Sequence, residues 1–209
     1  MRATRGGLPD HIKPGVRILF VGINPGLRSA AVGYHFAGYS NRFWKLLSES
    51  GLVPTVLTYK DDGRLPEWGL GLTNVIARPS SGIHLLRPGE YLAGRKCLLA
   101  KIRRYRPKVV ALLGVTLFRV LCPPSPPRLS RLPRLSQVSR VTPSSLSRLS
   151  RSPRLSQVSP VSPISRLGLQ PDRLAGAKLF VLPNPSGRNT RYSYEEMLES
   201  YRELKRFLG

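Results

Sequence analysis

Apolar positions along this chain fall into short unbroken runs, separated by stretches with helical periodicity. Val16–Val21, Leu70–Ala77 (LGLTNVIA), Lys108–Gly114 (KVVALLG) and Lys178–Leu182 (KLFVL) are continuous rather than alternating. Such runs predict strands buried on both faces. Between them, Asn41–Gly51 places Phe43, Trp44, Leu46 and Leu47 on one helical face. Glu90–Tyr105 does the same with Leu92, Cys97, Ile102 and Leu98 or Leu99, opposite Arg95, Lys96, Lys101, Arg103 and Arg104. Val115–Leu121 reads as a short helix. Ser193-Tyr194-Glu195-Glu196 is a capping box for a helix reaching about Phe207. Residues 1–15 read as a loose arm, 27–40 as a small-residue loop carrying Tyr34 and Phe36, and 52–70 as mostly loop. Four strands alternating with helices predict an α/β fold with a parallel sheet covered on both faces.

One segment breaks this pattern. Residues 123–166 are almost entirely Pro, Ser, Arg, Leu and Val, with eight Arg and no acid. Within it RLSRLPRLSQVS (Arg128–Ser139) recurs 20 residues later as RLSRSPRLSQVS (Arg148–Ser159), with Leu132 replaced by Ser152. Near-identity points to a recent duplication, and the composition predicts a disordered insert. The expected organisation is an arm (1–15), one domain (16–122 and 167–209) and the insert (123–166).

Charge changes the picture next. The 209 residues hold 34 Lys and Arg against 11 Asp and Glu, a formal net charge of +23, and no acid occurs from Tyr91 to Pro171. That excess suits a polyanionic partner. No apolar run of about 18 residues implies a membrane span. Two cysteines, Cys97 and Cys122, make neither a disulfide framework nor a complete metal or cluster site. The expectation is a monomer in the cytoplasm, associated with nucleic acid and not with membrane.

Two strands end in similar turns: Gly22-Ile23-Asn24-Pro25-Gly26 and Leu182-Pro183-Asn184-Pro185-Ser186-Gly187. In a parallel sheet both fall at the carboxyl edge, where ligands bind in open α/β folds. Asn-Pro is also ordinary turn chemistry. Two such turns, one followed by an aromatic loop and one by a basic loop, favour a pocket. A carboxamide suits the edge of a nucleobase and an aromatic ring its face.

At these residues the chain resembles the mismatch-specific uracil/thymine-DNA glycosylases, a branch of the uracil-DNA glycosylase superfamily. GINPGLRSA, YHFAGYSNRFWKLL, GLTNVIARPS and LPNPSGR carry the resemblance together. It implies a three-layer α/β/α fold around a short parallel sheet, and a reaction that uses no metal or organic cofactor. It also implies an enzyme that flips uracil, or less well thymine or a modified cytosine, from a G mismatch in double-stranded DNA and hydrolyses its N-glycosidic bond. By position, Asn24 corresponds to the family's water-positioning residue and Phe36 to the aromatic that stacks on the base. Ile23, Ser29 and Asn184 fall in the base pocket, and Ser186, Gly187, Arg188 and Arg191 at the wedge and backbone grip. Arg188, Asn189 and Arg191 all remain open as the wedge. Asn74, His35 and Arg42 have unsettled parts: His35 as a base or a hydrogen-bonded loop residue, Arg42 as a phosphate contact or a cap of its own helix. His11 and His84 are expected at the surface, as are Asp61, Asp62 and Glu67.

The chemistry fits a slow hydrolase. Glycosidic cleavage develops positive charge on the sugar and negative charge on the base, and an amide at Asn24 orients water without accepting its proton. The competing reading is a mismatch-, lesion- or nucleic-acid-binding protein with little turnover.

Overall fold

The computed structural model describes residues 7–123 and 167–209; all but the first residue of the repeat-bearing insert, and with it the expectation of disorder, lies outside them. Among the described residues, β1 (Ile18–Gly22), β2 (Leu70–Asn74), β3 (Val109–Leu113), β4 (Gly168–Leu174) and β5 (Ala177–Leu182) form one sheet in the order β2-β1-β3-β5-β4. The first four in that order run parallel, and β4 is antiparallel to β5. Every residue of β1 and β3 is buried, as their unbroken apolar runs require. Alternate residues feed two cores. Ile18, Phe20 and Phe180 face α2 (Phe43–Glu49) and α5 (Tyr194–Leu208), while Leu19, Val21 and Val181 face α3 (Pro88–Tyr105) and α4 (Val115–Leu121). The Ser193 capping box opens α5 as expected, with both reciprocal bonds present.

Several expectations are corrected. The sheet has a fifth strand. GLQPDRL gives no strand signal because only Gly168 and Leu174 are buried, and Pro171 is tolerated at an edge with a bulge. Ala175 and Gly176, both at positive φ, join β4 to β5 as a two-residue hairpin. The loop after β1 contains a helix, α1 (Leu27–Val32), stopped by left-handed Gly33. Tyr59–Trp68 is a 3-10 helix, opened by a Thr58–Asp61 capping box. The arm is not loose where it is described. His11 exchanges both backbone bonds with Leu72 (3.0 and 2.9 Å), and Asp10 accepts from Thr73 Oγ1 (2.6 Å) and pairs with Lys101 (2.6 Å). These partners are far away in sequence, so no local pattern announces them.

Helix α3 is rotated relative to the expected face. Leu92 and Cys97 are exposed, and Gly94, Leu98 and Ile102 are buried. Gly94 is the reason: a Cβ there would strike the carbonyl oxygen of Val75. The helix backbone therefore lies directly on the segment leaving β2. Gly94→Ala should lower the urea midpoint. Helix propensity favours Ala by about 1 kcal/mol, but overpacking against a fixed carbonyl costs about 1–3 kcal/mol. A midpoint that rises would show that the close contact does not control stability.

Candidate active site

The strand order reverses at β1: the chain goes from β1 to β2 on one side, then crosses to β3 on the other. The crevice at the carboxyl ends of such strands is where α/β sheets bind ligands. Here it is a cleft of about 720 Å³, walled by the loops after β1, β2 and β5. Gly114, at the end of β3 with φ 124°, lies between the two Asn-Pro turns. A Cβ on it would press on Asn184 Cβ at 3.4 Å, so the missing side chain keeps the middle of the cleft open. Sequence reasoning passed over this glycine.

The first wall is built by backbone pairing that continues beyond the β1–β2 ladder. Val75 N–H donates to Gly22 O (3.0 Å), Ile76 N–H to Ile23 O (2.8 Å) and Ser80 N–H to Pro25 O (3.1 Å). Ile23 itself is buried. This alignment delivers three acceptors to Asn24. Its Nδ2 donates to Ser80 Oγ (2.8 Å), Arg78 O (3.2 Å) and Pro25 O (3.1 Å). Ser80 Oγ gives its own proton to Gly82 O (2.9 Å), so toward Asn24 it can only accept. The amide orientation is thereby fixed, and Oδ1 is left facing away from this socket. Arg78 is held in turn by Glu90 (2.8 Å through both Nε and Nη2) and by Leu85 O (2.9 Å). Arg78, and then the Arg87 N–H, hold the Glu90 carboxyl down at about 2. The pair is exposed, so it positions the loop more than it stabilises the fold. Neither Ser80 nor Arg78 was singled out from the sequence; the serine pair in RPSSG was the only available hint.

Phe36 stands against the same wall in an unusual backbone conformation, with φ 53°. A left-handed non-glycine residue costs on the order of 1 kcal/mol or more and persists only where its surroundings enforce it. Both neighbouring N–H groups are anchored, His35 N–H to Asp62 Oδ2 (2.9 Å) and Ala37 N–H to Ser29 Oγ (3.0 Å). Ser29 therefore braces the loop, and its buried hydroxyl is already committed. The Phe36 ring packs on Phe43 at 4.4 Å. It also lies 3.4 Å from where a Gly22 Cβ would be, and Asn74 Oδ1 occupies the same space. Gly22 must be glycine for both groups to reach the cleft.

His35 is buried, not displayed toward a ligand. Its Nε2 lies 2.9 Å from Pro9 O, and a carbonyl only accepts, so Nε2 carries the proton. Nδ1 then accepts from Asn74 Nδ2 at 3.4 Å. This tautomer fixes Asn74 with its NH2 on His35 and its Oδ1 toward Gly22 and Phe36. Two further expectations change. Asp62 is buried, and His11, instead of lying at the surface, is half-buried with Nε2 3.3 Å from Asp62 Oδ2. Ligand atoms of His11, His35 and Asp62 lie within 4.8 Å of one another, the separation a metal ion would need. Both ring nitrogens of His35 and Asp62 Oδ2 already hold protein partners. The cluster reads as a brace under the Phe36 loop.

The opposite wall follows β5. Asn184 Oδ1 accepts from Ser186 N–H (3.0 Å), and Asn189 Nδ2 donates to Asn184 O (2.9 Å). Asn189 thus folds inward as a loop brace, while Arg188 and Arg191 remain exposed. Arg188 Nη1 reaches across the mouth to Ser81 O (2.7 Å), and Arg191 lies over the Tyr192 ring. Ser186 Oγ accepts the Arg188 N–H at 3.3 Å. Gly187 is pressed on Ser40 so closely that any Cβ would collide with it. Arg42 does not cap its own helix through its side chain. Its N–H donates to Pro185 O (2.9 Å), and its guanidinium turns to Met197 Sδ (3.6 Å).

The profile of the uracil DNA glycosylase superfamily matches residues 9–205. The chain belongs to this superfamily. Its match with the "G/U mismatch-specific uracil DNA glycosylase" of Schizosaccharomyces pombe (strain 972 / ATCC 24843) is 46% identical over 105 residues, 49% of this chain and 32% of that relative. The aligned segment therefore spans about a third of the relative's length. The mostly parallel sheet with helices on both faces is the expected superfamily fold.

Burial pushes the His35 imidazole below the ordinary histidine range, against the opposing pull of the Pro9 carbonyl and Asp62. Once unfolded, the same ring titrates near ~6.5. The unfolded chain then binds a proton that the folded one refuses, so stability is full above about pH 6.5 and declines below it. The melting temperature should fall between about pH 7.5 and about pH 5.5, and His35→Gln should flatten that fall. An equally steep fall in the variant would assign it to other groups.

Proposed function

We propose that this chain excises uracil opposite guanine from double-stranded DNA by hydrolysing the N-glycosidic bond, as the name of its fission-yeast relative says of that protein. The observation that carries the reading is the pair of carboxamides, Asn24 and Asn74. Each is anchored through its NH2 group, which leaves its oxygen free to accept; Asn74 Oδ1 lies beside the Phe36 ring, and Asn24 Oδ1 faces away from its socket. A flipped uracil meets that arrangement with its flat face on Phe36 and its N3–H donated to Asn74 Oδ1. Cytosine has no hydrogen at N3 and is disfavoured there. Asn184 Nδ2, whose Oδ1 is held by Ser186, supplies a donor for a carbonyl of the base.

Asn24 Oδ1 accepts one O–H of a water and turns its lone pair toward the sugar. The C–N bond breaks with its electron pair leaving on the base. Water adds to the sugar carbon and loses its proton to solvent or to the departing base. No side chain here removes that proton, so the usual 10²–10⁴-fold help of a general base is missing. The enzyme should therefore depend on good leaving groups and weak pairing: uracil first, then thymine or modified cytosines in G mismatches. Arg188 or Arg191 fills the vacated stack. We infer a monomer that acts in the cytoplasm, on the nucleoid, with no cofactor in the reaction.

Single-turnover excision from a duplex with one G·U pair, read by alkaline strand scission, tests this. Asn24→Ala should lose about 10²-fold or more while still binding the duplex. Ser80→Ala, which releases one of the bonds that hold the Asn24 amide, should lose about tenfold, the value of one hydrogen bond. Wild-type protein that binds the duplex and leaves the uracil in place would instead support a mismatch-binding protein with little turnover.

A further inference from the structure

The cleft uses only one end of the sheet. At the other end, where the parallel strands begin, a second set of cations gathers. Arg17 directly precedes β1, Lys108 directly precedes β3, and Lys178 is the second residue of β5. Their backbones are adjacent: Val109 N–H donates to Arg17 O (3.0 Å) and Lys178 N–H to Lys108 O (3.2 Å). Helix α3 ends at the same edge, adding Arg103, Arg104 and left-handed Arg106 two residues before Lys108. All six side chains are exposed. Among the described residues none has a carboxylate within ion-pair distance; of nearby acids, Glu67 is taken by Arg64 and Asp10 by Lys101.

Ordinary stabilisation does not account for this group. Cations in the last turn of α3 favour its negative end, which explains Arg103 and Arg104. It does not explain Lys108, which stands at a strand start beside Arg17; Arg17 donates to Trp68 O (3.3 Å) and Lys178 lies over the Phe207 ring (4.7 Å), contacts that leave both charges without a carboxylate. Five residues at ~3.3 Å each put the two sheet edges roughly 16 Å apart, facing opposite ways. A duplex lying across the cleft mouth cannot also cover this edge.

We propose that the amino edge of the sheet, centred on Arg103, Arg104, Arg106 and Lys108, is a second binding surface for the phosphate backbone of another DNA segment. This rests on the glycosylase reading for its choice of polyanion. A protein held on one duplex meets further segments of the same long molecule at high local concentration. Exposed cations without a carboxylate partner release counterions on contact without first breaking an internal salt bridge. The second contact is sequence-independent, because Lys and Arg side chains here meet phosphate and not base edges. It gives the protein a route between segments without full release.

The test uses the full chain and a variant with Arg103→Gln, Arg104→Gln, Arg106→Gln and Lys108→Gln. Protein is loaded on a bead-bound short G·U duplex and offered a labelled, undamaged second duplex. Wild-type protein should capture it, and the variant should capture about tenfold less, with a shallower salt dependence. Both should cleave a short G·U duplex at the same single-turnover rate, which also shows that the variant is folded. If the quadruple variant does not fold, Arg17→Gln with Lys178→Gln takes its place. Equal capture by wild type and variant, or cleavage by a wild type that captures no second duplex, overturns the second surface and leaves the glycosylase reading intact. Loss of cleavage in the wild type overturns that reading instead. Binding of phosphatidylserine vesicles that needs the same four residues, without duplex capture, would assign the edge to a membrane and also overturn the proposal.

Discussion

The site depends on the first two strands staying side by side after their ladder has ended. Loops that carry chemistry are usually the softest parts of a fold. Here the loop after β1 is tied to the loop after β2 by main-chain bonds from Val75, Ile76 and Ser80. The acceptors that hold Asn24 all belong to this paired unit. The loop after β5 joins through Arg42 N–H on Pro185 O and through the close approach of Gly187 to Ser40. Three loops thus behave as one rigid rim. Groups placed in advance need no reorganisation when charge develops, which is where most electrostatic catalysis comes from.

The rim is also almost free of negative charge. Asp62, the acid beneath it, is buried and occupied by the His35 N–H. Glu90 pairs with Arg78 behind the wall. A carboxylate facing the cleft would repel flanking phosphates, whereas neutral amides do not. Under the proposed function, slow chemistry and tolerance for a polyanionic substrate would share one cause, the choice of carboxamides over carboxylates.

How much of this was legible depended on whether a signal was local. Strands β1, β3 and β5 declared themselves by unbroken apolar runs, and α5 by its capping box. Asn24, Phe36, Asn74 and Asn184 could be placed at the carboxyl edge from turn chemistry, resemblance and the parallel topology. Strand β4 could not, because an edge strand with a bulge needs few apolar residues. Nor could the braces: Ser80 reaches Asn24 across 56 positions and Asp62 reaches His35 across 27. Arg42 sets its guanidinium on Met197 Sδ across 155 positions, a contact that no local pattern announces. Leu92 looked like a core residue until Gly94 set the rotation of α3. Such outcomes depend on which surfaces meet, and a single chain does not spell that out.

The socket around Asn24 also constrains the paths open to this sequence in evolution. Under the proposed function, aspartate at position 24 is on paper the shortest route to a general base. In this fold a carboxylate at position 24 would point one oxygen at two carbonyls, those of Pro25 and Arg78, and at a hydroxyl that already donates elsewhere. Three acceptors facing a fourth would raise its pKa or drive it out of place. Acquiring a working carboxylate would require rebuilding the loop after β2 at the same time. Under the proposed function, the amide at position 24 is thus held in place by its neighbours, and no single substitution turns it into a working base.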